Sequence, residues 1–434
     1  MRQLFVSLFF AVLCAAPVRP VTAQATPSLS APAPLLRVYV DCPNVMCDRD
    51  FFFREIAFVS FTRDRNDADV HLLSTGLMNG GGGQQVTMQF IGLRAFAGRV
   101  DTLTTSIASD ATEDNIRREM VRVFKLGLVR FVATTAAAKQ LRVEFEAPAN
   151  GAVNSPMRDP WDSWIFDVSG NGSFGGESQS TRRSVSYSTS ARRVTEALKF
   201  SFSLNGSYRE SHYTYDDGTS SSFILRSWGG TSRVAKSLTD HWSVGGTGSF
   251  GHSEFNNQDL YAKVVGSAEY NFFPWKQASQ HQLVALYAIG GATYRYQEAT
   301  IFDKMKETRP LHQVILASQV KEPWGSFDAS LSFSQYLHDL SKQNASAFLS
   351  TNIRIARGLS LNFFGTASIV HDQLYIAAGG LTPAEILTSQ RSLATTFSYG
   401  GFVGLSYTFG SILNSIVNPR LDALNGGGQT FFFF

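Results

Sequence analysis

In this 434-residue chain the residues whose types could do chemistry are three histidine-acid pairs, one aspartate-histidine cluster, a glycine run and two cysteines. His371 with Asp372, His338 with Asp339, and His252 with Glu254 each set an imidazole beside a carboxylate, which together with a serine is the material of a hydrolase. Each pair sits at the end of an extended segment, where solvated polar residues belong, and serines are near everywhere. No catalytic residue is therefore assigned. Asp67, Asp69 and His71 offer oxygen and imidazole donors, with Asp69 and His71 on one strand face. Without a third ligand at matching spacing they read as a solvated junction, so neither a metal nor another cofactor is expected. The Gly80 to Gly83 run would cradle phosphate only between a strand and a helix, with a Lys and a Ser or Thr at its end; a strand follows it, so it reads as a hairpin tip. Cys42 and Cys47, in "CPNVMC", are too few to close a zinc shell and too widely spaced for a redox dithiol. They are expected to form a disulfide.

That expectation presumes export, and the first residues supply it. Met1-Arg2-Gln3, the apolar run Leu4 to Ala16 and the small residues of "VTAQA" read as a cleaved signal over 1–25, too short to span about 30 Å of hydrocarbon. The residues before Cys14 do not make a lipobox. Residues 26–34 form a Pro, Ser and Ala linker, and a compact α+β domain is expected over 35–147. Within it "LLRVYVDC" is a strand. "DRDFFFREIAFVSFTRDR" is a helix with Asp48 near its start and Phe52, Ile56 and Val59 on one side. "ADVHLLSTG", "QQVTMQFIG" and "GRVDTLTTSIA" are strands, "TEDNIRREMVRVFKLGLVRFV" is a second helix, and "QLRVEFEA" is a closing strand. Residues 148–160 are a second linker.

From 161 to 410 the helical period gives way to a period of two. In "SFDASLSFSQYL", Phe327, Ala329, Leu331 and Phe333 share one face, and Ser326, Asp328, Ser330, Ser332 and Ser334 share the other. About twelve such segments follow one another, longer than the five or six residues usual in soluble sheets. Trp161, Trp164, Tyr208, Trp242, Phe272, Phe273, Trp275, Trp324, Tyr399 and Phe409 gather at strand ends. Connections are expected to alternate, long in "RESHYTYDDGTSS", "YQEATIFDKMKETRP" and "HDQLYIAAGGLTPAEILTSQRS", and short in "RRVTEA", "KSLTDH", "VKEPWGS" and "ARGLS". On the polar face fall Asp167, Lys199, Arg209, Lys263, Glu269, Asp328 and Arg354, of mixed sign, expected to line a lumen either as an open path or as internal salt bridges that plug it. A net charge of +3 without basic stripes argues against a nucleic-acid partner.

From Trp161 onward the chain resembles a bacterial outer-membrane β-barrel protein: multidomain, with a transmembrane antiparallel barrel of about twelve strands preceded by the small α+β domain. The resemblance implies outer-membrane lipid and the barrel assembly machinery as partners, a location in the bacterial outer membrane, and an N-terminal domain in the periplasm. It also implies an aromatic assembly signal, matched by Tyr407 and Phe409 in "GGFVGLSYTF" and by Phe434 at the end of a tail over 411–434. The N-terminal domain resembles small periplasmic modules that dock to envelope partners. The expected function is a narrow pore or transporter for small solutes. The alternative is a membrane-anchored scaffold whose periplasmic domain binds an envelope or secretion partner, with a barrel-embedded hydrolase third; the chain is not expected to be an enzyme.

Overall fold

The computed structural model describes residues 35–144, 159–379, 392 and 394–411. The export signal, the first linker, most of the second and most of the tail, Phe434 included, lie outside these residues.

The first part is an α+β domain. Strands β1 (Leu36–Asp41), β2 (Val59–Phe61), β3 (Val70–Met78), β4 (Gln84–Gly92) and β5 (Val100–Ile107) form one sheet in the order β2-β1-β3-β4-β5. β1 runs parallel to β2 and β3, and β3, β4 and β5 form an antiparallel meander. Helix α1 (Arg49–Glu55) begins where the Asp48 carboxylate accepts the Phe51 N–H at 2.9 Å, and α2 (Glu113–Val132) where Thr112 accepts that of Asn115 at 3.3 Å. Glu113 and Asp114 then meet the positive end of the α2 dipole. One face of α2 buries Met120, Phe124, Leu128 and Phe131. Phe124 is the centre of that core, its ring 5.7 Å from Phe52, 6.1 Å from Phe61 and 6.0 Å from Phe90.

Two expectations are corrected here. The first helix stops at Glu55, because from Val59 the apolar residues alternate instead of recurring every third or fourth position. Val59 and Phe61 are buried with Ser60 between them, and Val59 pairs with Leu36 as a strand. "QLRVEFEA" closes with no strand over the described residues: 136–140 form a 3-10 turn, and 141–144 run on without regular structure. The glycine run is the β3–β4 turn, closed by Asn79 N–H to Gly83 O at 2.9 Å, with Gly82 at φ +76°. Cys42 and Cys47 are joined as a disulfide just after β1.

The second part is one antiparallel sheet of twelve strands, each paired with its neighbour in sequence. They are β6 (Trp164–Gly176), β7 (Ser180–Val194), β8 (Leu198–Thr214), β9 (Ser220–Ser237), β10 (Trp242–Ser253) and β11 (Gln258–Asn271), then β12 (His281–Tyr296), β13 (Lys306–Glu322), β14 (Gly325–Tyr336), β15 (Gln343–Ala356), β16 (Leu359–Val370) and β17 (Phe397–Tyr407). The outermost strands are β6 and β17. The connections differ from the expected alternation. Most of "RESHYTYDDGTSS" is strand, because its alternating residues go on pairing to Thr214↔Ser220, and "KETRP" belongs to β13. The longest stretch between described strands of this sheet is 371–396, and 272–280, on the side expected to be short, is as long as 297–305 on the other.

The sheet is curled. Just past β16, the Tyr375 carbonyl accepts a bond at 3.2 Å from Asn257, which directly precedes β11. Five inter-strand steps separate β11 from β16, about 24 Å if the sheet were flat, whereas the five residues from Val370 to Tyr375 reach at most about 18 Å. At the other end, the small α+β domain touches β7 through the glycine turn and the end of β17 through Arg63.

Phe124→Ala is expected to destabilise the α+β domain by roughly 3–5 kcal/mol, since no neighbour can fill the space. The check is a lower urea midpoint for protease resistance of residues 35–144 in the full chain, with the twelve-stranded sheet unaffected.

Candidate functional site

Because side chains alternate and the register shifts only near strand ends, at 251–253, 258–260 and 354–356, the twelve strands sort their residues onto two faces. One carries Phe166, Val168, Phe200, Phe202, Val264, Ile289, Leu316, Leu331, Phe363, Tyr399 and Val403, and much of it is exposed: Val168 is 84% and Val403 68% accessible. Its charged residues sit towards strand ends, as with Arg183 and Arg193 on β7 and Arg226 and Lys236 on β9. The other face is lined by hydroxyls, amides and charges. Serine pairs bond across neighbouring strands there: Ser169 to Ser188 at 2.7 Å, Ser173 to Ser184 at 2.9 Å, Ser207 to Ser227 at 2.8 Å and Ser368 to Ser398 at 2.7 Å. The row Ser326 to Ser334 lies on this face, with Gln319 donating to Asp328 at 2.6 Å and Gln313 to Ser332 at 3.2 Å.

Asp167, Lys199, Arg209, Lys263, Glu269, Asp328 and Arg354 all fall on the polar face by register. Lys199, Lys263 and Glu269 line one cavity of about 570 Å³ with Arg233, Thr247 and Gln313. Sequence reasoning missed six further charges at paired positions of this face: Arg182, Arg192, Arg233, Glu307, Arg309 and Lys321. The expected seven comprise four basic and three acidic residues, and the six add five basic and one acidic. The face thus carries nine basic residues against four acidic ones, a bias that the expected set hid. The alternation in β13 was the signal that could have found Glu307, Arg309 and Lys321; the three on β7 and β9 are placed by their pairing with β8.

The end of the polar face nearest the longer loops is filled from within. After β16 the chain turns inward. Ile301 N–H donates to Ile376 O at 2.8 Å, Ala378 N–H to Ala299 O at 2.9 Å, and the Asn344 amide to Asp372 at 3.2 Å. Leu374, 4% exposed, packs there on Val265, Ala288, Ala292, Leu311 and Tyr336, all on the polar face. Tyr294 and Tyr336 share a hydroxyl bond of 2.9 Å beside it.

The opposite end, with the shorter turns and with Trp164, Trp242, Trp275 and Trp324, carries the α+β domain. Arg354 at the end of β15 grips Asp41 with both guanidinium arms, at 2.7 and 2.8 Å, donates to Pro323 O at 3.0 Å, and lies over the Tyr39 ring. Arg357 bonds Asp67, Gly358 N–H donates to Asp64 at 2.8 Å, and Arg63 donates to the carbonyls of Phe409 and Gly410 at 3.0 and 3.1 Å. Gln89 reaches Gln280 at 3.2 Å. A Cβ on Gly80 would come within 2.6 Å of Val194, so the turn needs a glycine for this approach.

Behind Arg354 lies a buried polar pair. Burial would raise the Asp41 carboxyl, but His71 and the Arg354 fork outweigh it and hold it at about 2. His71 Nε2 stands 3.5 Å from Asp41, a contact too long for a formed hydrogen bond, so the Arg354 fork carries most of this effect. Burial lowers the His71 imidazole more than the Asp41 carboxylate raises it, so the ring is neutral at pH 7. The residues of the weighed metal cluster are separated by their partners: Asp69 is bound by Arg37 at 2.7 Å, Asp67 by Arg357, and His71 faces Asp41.

The three histidine-acid pairs serve loops. Asp339 accepts from Ser341 N–H and Oγ, Asp372 from Asn344, and Glu254 from Arg226 N–H at 2.6 Å, while His252 lies against the Asp259 carbonyl and Trp228. A pairing that sequence reasoning overlooked is His212 Nδ1 to Ser222 Oγ at 2.8 Å, a cross-strand contact between β8 and β9 in which no acid or amide orients the ring among the described residues. Of the aromatic assembly residues, Tyr407 ends β17 and stacks 5.4 Å from the exposed Phe409. The sequence matches no protein-family model and no curated protein.

Asp41 is ionised more easily in the folded protein than its ordinary 3.8, so its stabilisation is full above about pH 4 and is lost as pH falls toward 2. Asp41→Asn, which strands Arg354, is expected to cost on the order of 3 kcal/mol at pH 7. The gap between wild type and variant, read as urea midpoints of domain protection at several pH values, is expected to close between pH 4 and 2.

Proposed function

We propose that the chain is a bacterial outer-membrane protein, its twelve strands closed into a barrel around a narrow, normally shut path for small polar solutes, with the α+β domain in the periplasm covering one mouth. The observation that carries this reading is the exposed apolar face. In hydrocarbon every backbone N–H and C=O must be paired within the protein, which a closed sheet achieves while turning apolar side chains to lipid and polar ones inward. The charges that bound the apolar band, Arg183 and Arg193 or Arg226 and Lys236, are ten residues apart. At about 3.4 Å per residue and a tilt near 40°, that spacing gives a band roughly 26 Å tall, close to the apolar height of outer-membrane barrels. An even number of alternating strands makes β6 and β17 antiparallel, the arrangement in which they can pair and remove both edges.

Twelve strands enclose a lumen between a filled eight-stranded barrel and an open sixteen-stranded porin. The Leu374 segment at one end and the docked domain at the other support a path that opens only when one of them moves. The same two closures favour a second reading, in which the barrel is an anchor and the domain is a scaffold for an envelope partner.

Purified full-length protein is expected to migrate faster on a gel before heating than after, and to show rare, small conductance steps in planar bilayers. Leu374→Ser, which loosens the inward segment, is expected to make openings more frequent. A heat-modifiable protein that inserts without conductance in either form would leave the scaffold reading; a protein monomeric in water without detergent would end both.

A further inference from the structure

Between the α+β domain and the rim of the sheet lies a cavity of about 550 Å³, and its chemistry is dominated by guanidinium groups. Arg49, Arg63, Arg65, Arg354 and Arg357 all line it, with Asp64 the only acidic lining residue among the described residues. Two of the five are neutralised from behind, Arg354 by Asp41 and Arg357 by Asp67. The other three have no carboxylate within ion-pair distance among the described residues. Arg49 donates to the Val40 carbonyl at 3.3 Å, and Arg63 to the Phe409 and Gly410 carbonyls. The Nε of Arg65 is buried with no hydrogen-bond partner. Arg49 and Arg63 are exposed and Arg65 is half-buried, so an anion entering the cavity would exchange the water on their free N–H groups for charge-assisted bonds. The lining includes Asn352, Arg354 and Ser360, which belong to the polar face of the sheet.

We infer that this cavity is a binding site for a soluble phosphate-bearing anion, a phosphate monoester with a small organic part. Guanidinium forks match the tetrahedral oxygens of a phosphate, which supplies enough acceptors for Arg49, Arg63 and Arg65 together, and 550 Å³ leaves room for more than the phosphate alone. The excess of basic residues along the polar face would draw such an anion toward the site through the interior. As an assignment of solute class the inference rests on the pore reading; as a binding site it does not.

The experiment is calorimetric titration of the full chain in zwitterionic micelles with inorganic phosphate and with glycerol 3-phosphate. Saturable binding is expected, weakened about 10-fold or more by Arg49→Gln and by Arg65→Gln, as the loss of one charge-assisted bond implies, and unchanged by Arg118→Gln on the exposed side of α2. No binding, or binding that these two substitutions leave intact, would overturn the site. Displacement of glycerol 3-phosphate by phosphatidylglycerol added to the micelles would overturn the soluble ligand in favour of a lipid headgroup. In planar bilayers the same proteins separate the two ideas: a conducting, anion-preferring channel whose preference falls in the arginine variants supports both. Phosphate binding without conductance sinks the pore and leaves the site, and conductance without binding or anion preference does the reverse.

Discussion

The constraint on which the rest of the molecule depends is the register that runs from β6 to β17, shifted only near strand ends, at 251–253, 258–260 and 354–356. Each strand pairs only with its sequence neighbours, so between those shifts one choice of phase decides which face each side chain takes. A slip of β14 by a single residue would send Ser326, Asp328 and Ser330 to the apolar face and Leu331 and Phe333 to the polar one. The cross-strand serine pairs and the Gln319–Asp328 and Gln313–Ser332 bonds hold that phase from the polar side. From the other side, aromatic contacts such as Trp228 with Phe250 and Trp242 with Tyr270 tie neighbouring strands.

The junction with the α+β domain works differently, through a few directional contacts. Arg354 is the hinge of that arrangement: it belongs to β15, yet its guanidinium is neutralised by a carboxylate from β1 and stacked on Tyr39. Asp64, Asp67 and Arg63 repeat the theme with the β15–β16 turn and the end of β17. A contact made from buried ion pairs contributes geometry more than net stability, since desolvation offsets much of the attraction. It suits a part that must sit in one position without being fused to the sheet.

Much of the architecture was legible. The period of two was strong enough in β14 to assign faces residue by residue, and the α+β domain announced itself through Asp48 and the glycine run between two strand segments. What was not legible had definite reasons. The segment after Glu55 is rich in phenylalanine, and over so few residues the apolar content resembles a helix until alternation is weighed; sheet pairing with Leu36 decided it. The strands β7 and β9 carry arginines and serines on both faces, which blurred their phase and hid Arg192 and Arg233. The inward turn of Leu374 and the arginine cavity could not be read at all, because they join residues tens of positions apart in the first case and hundreds in the second. No local pattern marks Arg65 as a neighbour of Arg354.

The glycine turn at 79–83 has one more consequence. The ends of β7 and β17 are separated by more than two hundred residues, and bringing such distant pieces of chain together carries an entropic cost that grows, slowly, with the length between them. A domain synthesised ahead of the sheet, meeting Val194 through Gly80 and the Phe409 carbonyl through Arg63, gives both ends a common foothold. The second of these contacts spans 346 residues, so it can form only after the twelve strands have been made, against a domain that is already in place.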